Sequence, residues 1–353
     1  RPDMTPPASF PAKLALYLFH RFHHFQGDPA KGMVILPCEL IDRNGDNLKS
    51  IILRLAREWH WPQAFTNWVE DHNYFLNTLV DRVVTGYPRD EVAALTDRFG
   101  YEDKLLNTGE LFHLWVIEGP AHLEARLPFA KAGLNVVWTE HMAPYRTRKV
   151  RILNGAHTAS VPAAFLYGLD TVGEMMDHDV MGAFVRQTIT EEIVPSIKLD
   201  KDMLTEFAAA VVERFRNPFI KHYLLSILLN SSSKFKTRVL PSILEYQAQF
   251  GTLPERLVFS LAALITVYRN GIVDGSAMQA RRDAGAFTLQ DDDWALAFFA
   301  HTWEEYDGTV AAADKVAKAV LANTRLWGQD LNAVPSLTEK TAAYLQQIAT
   351  DGI

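Results

Sequence analysis

Lys149-Val-Arg-Ile-Leu-Asn154-Gly-Ala-His157 is the most informative stretch of this 353-residue chain. It is typical of the start of a helix. In a regular α-helix the three named side chains fall within roughly 140° of arc, and Asn154 and His157 share a face. A lysine beside an amide suits carbonyl–alcohol interconversion, because the ammonium protonates the developing alkoxide and the amide stabilises it. The residues alone leave a second interpretation open, a helix N-terminus with one polar face.

The Lys-x4-Asn-x2-His pattern of Lys149, Asn154 and His157 resembles the active-site signature of the mannitol dehydrogenase family of polyol-specific long-chain dehydrogenases. Further stretches resemble one branch of that family, the tagaturonate reductases or altronate oxidoreductases. These stretches are 77–88, 112–120, 144–149 and 217–222. The resemblance runs from about residue 9 to about residue 270 and weakens beyond it.

The resemblance implies a role for each residue of the signature. Lys149 is the general acid in reduction and the general base in oxidation. Asn154 and Asn77 donate amide hydrogens to the substrate oxygen. Asn77 does so from the nucleotide-binding domain, where it is also the predicted cofactor-binding residue. His157 hydrogen-bonds a substrate hydroxyl or orients Lys149. From the residues alone, each of these side chains also suits a purely structural role.

A substrate carboxylate requires cations, and two stretches downstream of the signature supply them. The predicted substrate-binding residues are Lys221, His222, Lys234 and Arg238. Lys234 matches a substrate-contacting lysine of the family. Polyol dehydrogenases of the family tend to carry an arginine eight residues earlier, where this chain has Ser226. That departure favours a sugar acid over a neutral polyol as the small-molecule substrate.

The activity that the resemblance implies is the NAD-dependent, reversible reduction of D-tagaturonate to D-altronate in hexuronate breakdown. The chemistry requires no metal. A fructuronate reductase or a mannitol-type polyol dehydrogenase of the same family is the nearest alternative, because only the pocket would differ. A non-catalytic helical scaffold is the alternative from another class.

The predicted fold class is α/β plus all-α, an incomplete Rossmann-like domain over residues 1–144 followed by a mainly helical domain over residues 145–353. The N-terminal pattern alternates helices and strands. The predicted elements are a helix at 11–25, a buried strand at 32–38, a helix to Trp59 capped by Asp46 or Asn47, and strands at 75–85 and 112–117. No Gly-x-Gly-x-x-Gly occurs in the sequence. The resemblance therefore implies that the first βαβ unit and the phosphate-binding loop are missing from this chain.

Beyond Lys149 the pattern is mainly helical. The predicted elements are helices at 203–216, 257–268 and 294–306, a helix restarting at Asn217-Pro218, a mobile loop at 270–290, and two closing helices. The acidic run 291–293 is expected at a helix N-terminus.

Bulk composition excludes several functional classes. The net charge of −7 and the pI of about 6.0 do not favour nucleic acid or an anionic membrane as a partner. The longest apolar run, at 257–268, is too short to span a bilayer. A single cysteine, Cys38, fits a reducing compartment, so the cytoplasm is expected. His20, His23 and His24 have a spacing compatible with zinc, but no further ligand accompanies them, so no metal is predicted.

Overall fold

The structure, a computed structural model, describes residues 6–353, and their contacts group them into two compact units. The first unit comprises residues 6–84 and 109–146, and the second comprises residues 85–108 and 147–353. The predicted division into 1–144 and 145–353 did not anticipate that residues 85–108 group with the C-terminal residues.

The N-terminal part of the chain mixes helices with short strands. In chain order they are α1 (Phe10–His24), β1 (Val34–Ile35), α2 (Asn44–Glu58), α3 (Gln63–His72), β2 (Tyr74–Phe75), β3 (Asn77–Asp81), β4 (Val84–Gly86), α4 (Val92–Phe99), β5 (Thr108–Gly109), β6 (Leu114–Glu118) and β7 (Val136–Thr139). Short 3-10 helices occupy Pro29–Lys31, Ala121–Arg126 and Phe129–Ala132.

The first unit is built from parallel strand pairs linked through helices. Strand β1 pairs in parallel with β2, and the connection between them contains α2 and α3. Strand β6 lies between antiparallel β3 and parallel β7. Helix α2 buries Leu48, Ile52 and Ala56, spaced four residues apart, in a core that includes Leu18 and Phe65. The α/β character predicted for this part is confirmed.

Two predicted elements of the first unit form, but with other bounds than expected. The strand expected at 32–38 is only Val34–Ile35. Helix α2 begins at Asn44, two residues before the expected cap at Asp46, and Arg43 precedes it in a left-handed conformation with no side-chain cap. A residue distant in sequence, Asn77, caps this helix instead.

The C-terminal part of the chain is mainly helical, as predicted. Its helices are α5 (Ala143–Arg148), α6 (Gly155–Tyr167), α7 (Val172–Asp177), α8 (Asp179–Gln187), α9 (Val194–Ser196), α10 (Lys201–Phe215), α11 (Leu224–Ile227), α12 (Ser231–Arg238), α13 (Leu240–Phe250), α14 (Glu255–Val267), α15 (Asp293–Trp303), α16 (Val310–Ala322), α17 (Thr324–Trp327) and α18 (Leu337–Asp351). π-helical turns occupy Lys149–Asn154 and Thr188–Ile193, and a 3-10 turn occupies Leu331–Ala333.

The segment expected to be a mobile loop at 270–290 is a three-stranded antiparallel sheet. Its strands are β8 (Ile272–Asp274), β9 (Ala277–Arg282) and β10 (Gly285–Gln290). Met278 and Ala280 alternate with exposed residues on β9, and Phe287 and Leu289 do the same on β10. The sequence contains this period of two and an Asp274-Gly275 pair typical of hairpins. The prediction of a loop was wrong because the polar residues that alternate with the buried ones were interpreted as loop residues.

The helix predicted to restart at Asn217-Pro218 does not form. The Asn217 side-chain oxygen accepts a hydrogen bond from the Phe219 amide, which makes a turn, and the next helix begins at Leu224.

One continuous apolar core holds the second unit together. Helix α14 supplies its most buried stretch, in which Leu257, Leu261 and Leu264 are fully inaccessible to solvent. Among residues 6–353 no helix is both long and apolar enough to cross a membrane.

Candidate active site

A π-helical turn carries Lys149 and Asn154 at its two ends. It continues α5 directly into α6, and the Gly155 amide donates to the Val150 carbonyl five residues earlier. The prediction that Lys149 lies at the start of a helix was therefore wrong, because the stretch is internal to a continuous helical segment. Single π turns within α-helices are rare and recur at functional sites.

The π turn changes the angular relation between Lys149 and Asn154. In an α-helix, residues five apart diverge by about 140° around the axis. A turn closed by hydrogen bonds between residues five apart places such residues nearly above one another. Both residues are half-buried, and the turn brings their backbone positions closer together around the axis than an α-helix would. This supports the predicted pairing of a proton donor with an oxyanion donor.

Arg151 anchors this π turn to the helical core. Its side chain is almost fully buried, and the guanidinium donates to Ser242 Oγ at 2.8 Å, to Ser196 Oγ at 3.1 Å and to Glu245 Oε2 at 3.1 Å. Burial lowers the pKa of Arg151, although the Glu245 carboxylate opposes this effect. Arg151 therefore points into the protein, away from the accessible face.

Gly155 allows another segment of backbone to approach the turn. A Cβ atom at this position would lie 3.0 Å from the carbonyl oxygen of Arg238, the last residue of α12. Lys234 and Arg238, two of the predicted substrate-binding residues, lie on α12, and the small size of Gly155 lets that helix pack against the π turn.

His157 is a buried imidazole at the centre of the candidate site. Its ring stacks on Phe215 with centroids 3.9 Å apart, and His222 meets it edge-on at 5.3 Å. Burial lowers the pKa of His157 well below the usual value, and the charges of neighbouring cations add to this effect. Nε2 is buried and makes no hydrogen bond within the described residues. The neutral ring has an unused nitrogen, but because this atom is buried, a hydrogen bond to a substrate hydroxyl requires a neighbouring side chain to move.

Three of the four predicted carboxylate-binding residues gather around this imidazole. The charges of His222, Arg238 and Lys234 all act on His157. Lys234 Nζ donates to the Ile227 carbonyl at 2.9 Å, and burial together with Arg238 lowers the pKa of Lys234 to about 8. Arg238 reaches Thr158 Oγ1 at 3.5 Å, and burial lowers its pKa as well. A partly desolvated group of cations is suited to bind a carboxylate.

The structure does not bring Lys221 into this group. Its side chain is 65% exposed and lies 3.7 Å from Asp90. Both residues border a separate cavity of about 400 Å³ that also contains Phe219 and Tyr223. The predicted substrate contact of Lys221 has no support in this arrangement.

Asn77 is buried within the first unit, and its amide is fully engaged there. Nδ2 donates to Glu118 Oε2 at 3.0 Å and to Asp46 Oδ2 at 3.2 Å. Oδ1 accepts from the Gly45 amide at 3.1 Å and from the Asp46 amide at 3.2 Å, which caps α2. To donate to a substrate oxygen, Asn77 must therefore exchange one of the two carboxylate contacts.

The surroundings of Asn77 bear on where a nucleotide fits. Asn77 pairs with Glu118 in the sheet, and Glu118 and Thr139 end the parallel strands β6 and β7. The N-terminus of α2 lies against the same residues, since Asn77 caps it. Nucleotides bind outside the carboxyl ends of parallel strands. The amide, the carboxylate and the hydroxyl at this edge are polar groups of the kind that bind a dinucleotide, and each already makes a hydrogen bond within the first unit.

A larger cavity of about 770 Å³ in the second unit is not the predicted site. It is bordered by Phe165, Tyr223, Ser226 and Arg282. The Arg282 guanidinium stacks on Phe165 and pairs with Asp170, and it also donates to two backbone carbonyls at the end of α6. Its charge is thus already compensated, which makes this cavity a poor carboxylate site despite its size.

Sequence reasoning missed two residues next to the predicted site. Phe215 forms the face on which His157 stacks, and the helix predicted around it was interpreted only as core. Asp291 was interpreted only as part of an acidic helix start, yet its side chain bonds Ser232 at the N-terminus of α12. No local pattern connects Asp291 with α12, because the contact spans 59 positions.

Family models match both parts of the chain. The model of the mannitol dehydrogenase Rossmann domain matches residues 7–131, and that of the mannitol dehydrogenase C-terminal domain matches residues 141–349. The altronate oxidoreductase of Yersinia enterocolitica is 51% identical over 350 residues, which is 99% of this chain and 70% of that protein. The altronate oxidoreductase of Escherichia coli is 49% identical over 351 residues, 99% of this chain and 71% of that protein.

Two solved structures share the fold. Mannitol 2-dehydrogenase of Pseudomonas fluorescens, in a ternary complex with NAD and D-mannitol, superposes with a TM-score of 0.71 at 22% identity. A substrate-free D-sorbitol dehydrogenase superposes with a TM-score of 0.73 at 19% identity. Each match covers 98% of this chain, and the chain spans 65% and 66% of those two proteins. The order of a Rossmann-type unit and a helical unit, predicted from the sequence, is thereby confirmed.

Proposed function

The chain belongs to the mannitol dehydrogenase family, and we propose that it catalyses the NAD-dependent, reversible reduction of D-tagaturonate to D-altronate. The observation that carries this proposal is the 51% identity, over 99% of the chain, to a protein named altronate oxidoreductase. The cytoplasm, favoured by the single cysteine, is the proposed compartment.

The proposed cofactor is NAD, which the related mannitol 2-dehydrogenase binds. When bound, NADH supplies the hydride that reduces the ketone carbon. Asn77, Glu118 and Thr139 are the residues of this chain proposed to receive the nicotinamide end. They bind and orient it through hydrogen bonds at the carboxyl edge of the parallel strands.

Lys149 is proposed to move the proton. As the ketone is reduced, the Lys149 ammonium protonates the oxygen, and in the reverse direction the amine accepts that proton. Asn154, placed near Lys149 by the π turn, donates its amide hydrogen to the same oxygen. On the family resemblance, Asn77 is the proposed second amide donor. His157 is proposed to hold a substrate hydroxyl through Nε2, which has no hydrogen-bond partner among residues 6–353.

The cations beside His157 favour a sugar acid over a neutral polyol. Lys234 and Arg238 are both partly desolvated, which costs free energy unless an anion compensates them. A uronate carboxylate provides that compensation, and a neutral ketose does not. Ser226, which stands where the family's polyol dehydrogenases tend to have an arginine, agrees with this preference.

The test is the oxidation of NADH by the natural protein with D-tagaturonate, D-fructuronate and D-fructose side by side. We expect the highest kcat/KM for D-tagaturonate and a value at least about 100-fold lower for D-fructose, which has no carboxylate. Preference for D-fructuronate would replace the substrate within the same family, and preference for D-fructose would also remove the carboxylate argument. Absence of turnover with all three ketoses would favour the scaffold alternative.

A variant tests the proton donor. Lys149→Met is expected to lower kcat roughly 100-fold to 10,000-fold, with a smaller change in KM. Lys201→Met, at the exposed first turn of α10, is the matched control and should retain activity. An active Lys149→Met variant with an unchanged melting temperature would refute the assigned role.

A further inference from the structure

We propose that Asp291 is a positioning residue that fixes helix α12 and supplies the counter-charge to its Lys234, the residue proposed to bind the substrate carboxylate. This inference rests on the proposed function, because it concerns how the same site binds a sugar acid. Asp291 is buried, and it lies between strand β10 and helix α15, outside the family signature.

The first observation is that α12 has no side-chain cap of its own. The residue before it, Asn230, has a left-handed conformation and caps nothing. Asp291 takes this role from a distance of 59 positions: Oδ2 accepts from the Ser232 amide at 3.1 Å, and Oδ1 accepts from Ser232 Oγ at 3.1 Å. A carboxylate at a helix N-terminus satisfies unpaired amides and complements the helix dipole.

The second observation is that Asp291 is itself rigidly held. Tyr268 OH donates to Oδ2 at 2.6 Å, and the Asp292 amide donates to Oδ1 at 2.9 Å. Tyr268 has no exposed surface and stacks on Phe299 at 4.1 Å. Burial, together with the negative charge of Asp291, raises the pKa of Tyr268 well above its usual value, so the phenol stays a hydrogen donor. The carboxyl group of Asp291 therefore accepts hydrogen bonds from four donors, which fix its position.

The third observation connects this carboxylate to Lys234. Lys234 and Arg238 are four residues apart on α12, so they share a face. Asp291 bonds Ser232, two residues before Lys234, and Arg238 on the same helix, His157 on α6 and Asp291 each interact electrostatically with Lys234. Burial and Arg238 lower the pKa of Lys234 to about 8, whereas Asp291 raises it. Asp291 is therefore the opposing charge that favours the ammonium form near neutral pH.

The sign of the effect on substrate binding follows directly. Only the protonated form of Lys234 attracts a carboxylate, so KM for a sugar acid should rise as the pH increases through about 8. Loss of the Asp291 charge lowers the pKa of Lys234 further. The rise in KM then begins at a lower pH, and kcat at saturating substrate changes little.

The experiment compares three variants of the natural protein in NADH-oxidation assays with D-tagaturonate between about pH 6 and pH 9. Asp291→Asn keeps the shape and removes the charge, and it should move the midpoint of the KM rise at least about 0.5 pH unit lower. Asp292→Asn is the matched control, because it removes a negative charge from the next residue in the chain. Asp292 is exposed and its side chain bonds Trp294 rather than α12, so this change should not move the midpoint. Tyr268→Phe weakens the support of Asp291 but keeps its charge, so it should lower the melting temperature without moving the midpoint.

The outcomes separate this inference from the proposed function. If the natural protein turns over D-tagaturonate while Asp291→Asn folds and keeps the natural pH midpoint, the inference is wrong and the proposed function stands. If Asp291→Asn and Tyr268→Phe differ from the natural protein only in melting temperature, Asp291 is purely structural and the inference is again wrong. If Asp291→Asn does not fold, Asp291→Ser, which also removes the charge and keeps a hydroxyl at this position, should move the midpoint in the same direction, and an unmoved midpoint would overturn the inference. Absence of turnover by the natural protein would instead count against the proposed function.

Discussion

The sharpest stability prediction concerns Arg151, which holds the π turn between Lys149 and Asn154 in place. The perturbation is Arg151→Met, which preserves much of the side-chain length and removes all three guanidinium hydrogen bonds. Because those bonds reach α9 and α13, their loss frees the turn from both helices.

The magnitude follows from the three partners taken one at a time. Ser242 is fully buried and loses the hydrogen bond that it accepts, which costs roughly 1–3 kcal/mol. Ser196 still donates a hydrogen bond to the Ile193 carbonyl at 2.7 Å, and Glu245 is 45% exposed, so that water replaces the lost guanidinium contact. Each of these two residues therefore adds less than Ser242 to the loss of stability. Burial of the Arg151 charge costs free energy in the natural protein, as its lowered pKa indicates. Methionine removes this cost, which offsets part of the lost stability. The net expectation is a loss of about 2–3 kcal/mol.

Thermal unfolding of the natural protein and the variant, followed by circular dichroism, measures this loss. At roughly 2–4 °C per kcal/mol for a unit of this size, the melting temperature of the helical unit should fall by about 4–12 °C. The control Lys318→Met makes the same type of change at an exposed ion pair with Asp314 and should leave the melting temperature unchanged. An Arg151→Met variant with the same melting temperature as the natural protein would show that the π turn does not depend on this anchor.

Two further changes test the burial around the site. His157→Gln should reduce the sensitivity of the fold to acid. Folding lowers the pKa of His157 well below its ordinary 6.5, so the neutral imidazole is accommodated fully above about pH 6.5. As the pH falls below that value, protonation favours the unfolded chain, and the contribution of His157 to the free energy of unfolding is lost. Melting curves between about pH 7 and pH 5 measure this effect, and an equal acid sensitivity of the two proteins would contradict it. Gly155→Ala places a Cβ 3.0 Å from the Arg238 carbonyl and should cost about 1–3 kcal/mol in a denaturant titration. Gly173→Ala, whose Cβ would meet only Thr171 Oγ1 at 3.9 Å, is its control, and an equal effect of the two alanines would refute the packing argument.

The sequence by itself was sufficient to predict the fold class and the family, and it supplied the hypothesis for the chemistry. Lys149, Asn154 and His157 have a fixed spacing within nine positions, so a linear pattern could identify them without any knowledge of packing. The helical period of the C-terminal half and the alternating pattern of the N-terminal part are likewise local properties. Local periodicity was also present in β9 and β10, and only its interpretation failed.

The tertiary structure alone decided how those residues are supported. Helix α2 is capped by Asn77, 32 positions away from Gly45, and α12 is capped by Asp291, 59 positions away from Ser232. In both cases the residue adjacent in sequence is left-handed and caps nothing.

The same limit applies to the cations. Sequence placed Lys221 and His222 side by side, but His222 meets the His157 ring and Lys221 meets Asp90. Hydrogen bonds and charges act through space, over distances that are short in the fold and long in the chain. A local pattern therefore predicts which residues react, and only packing determines which residues hold them.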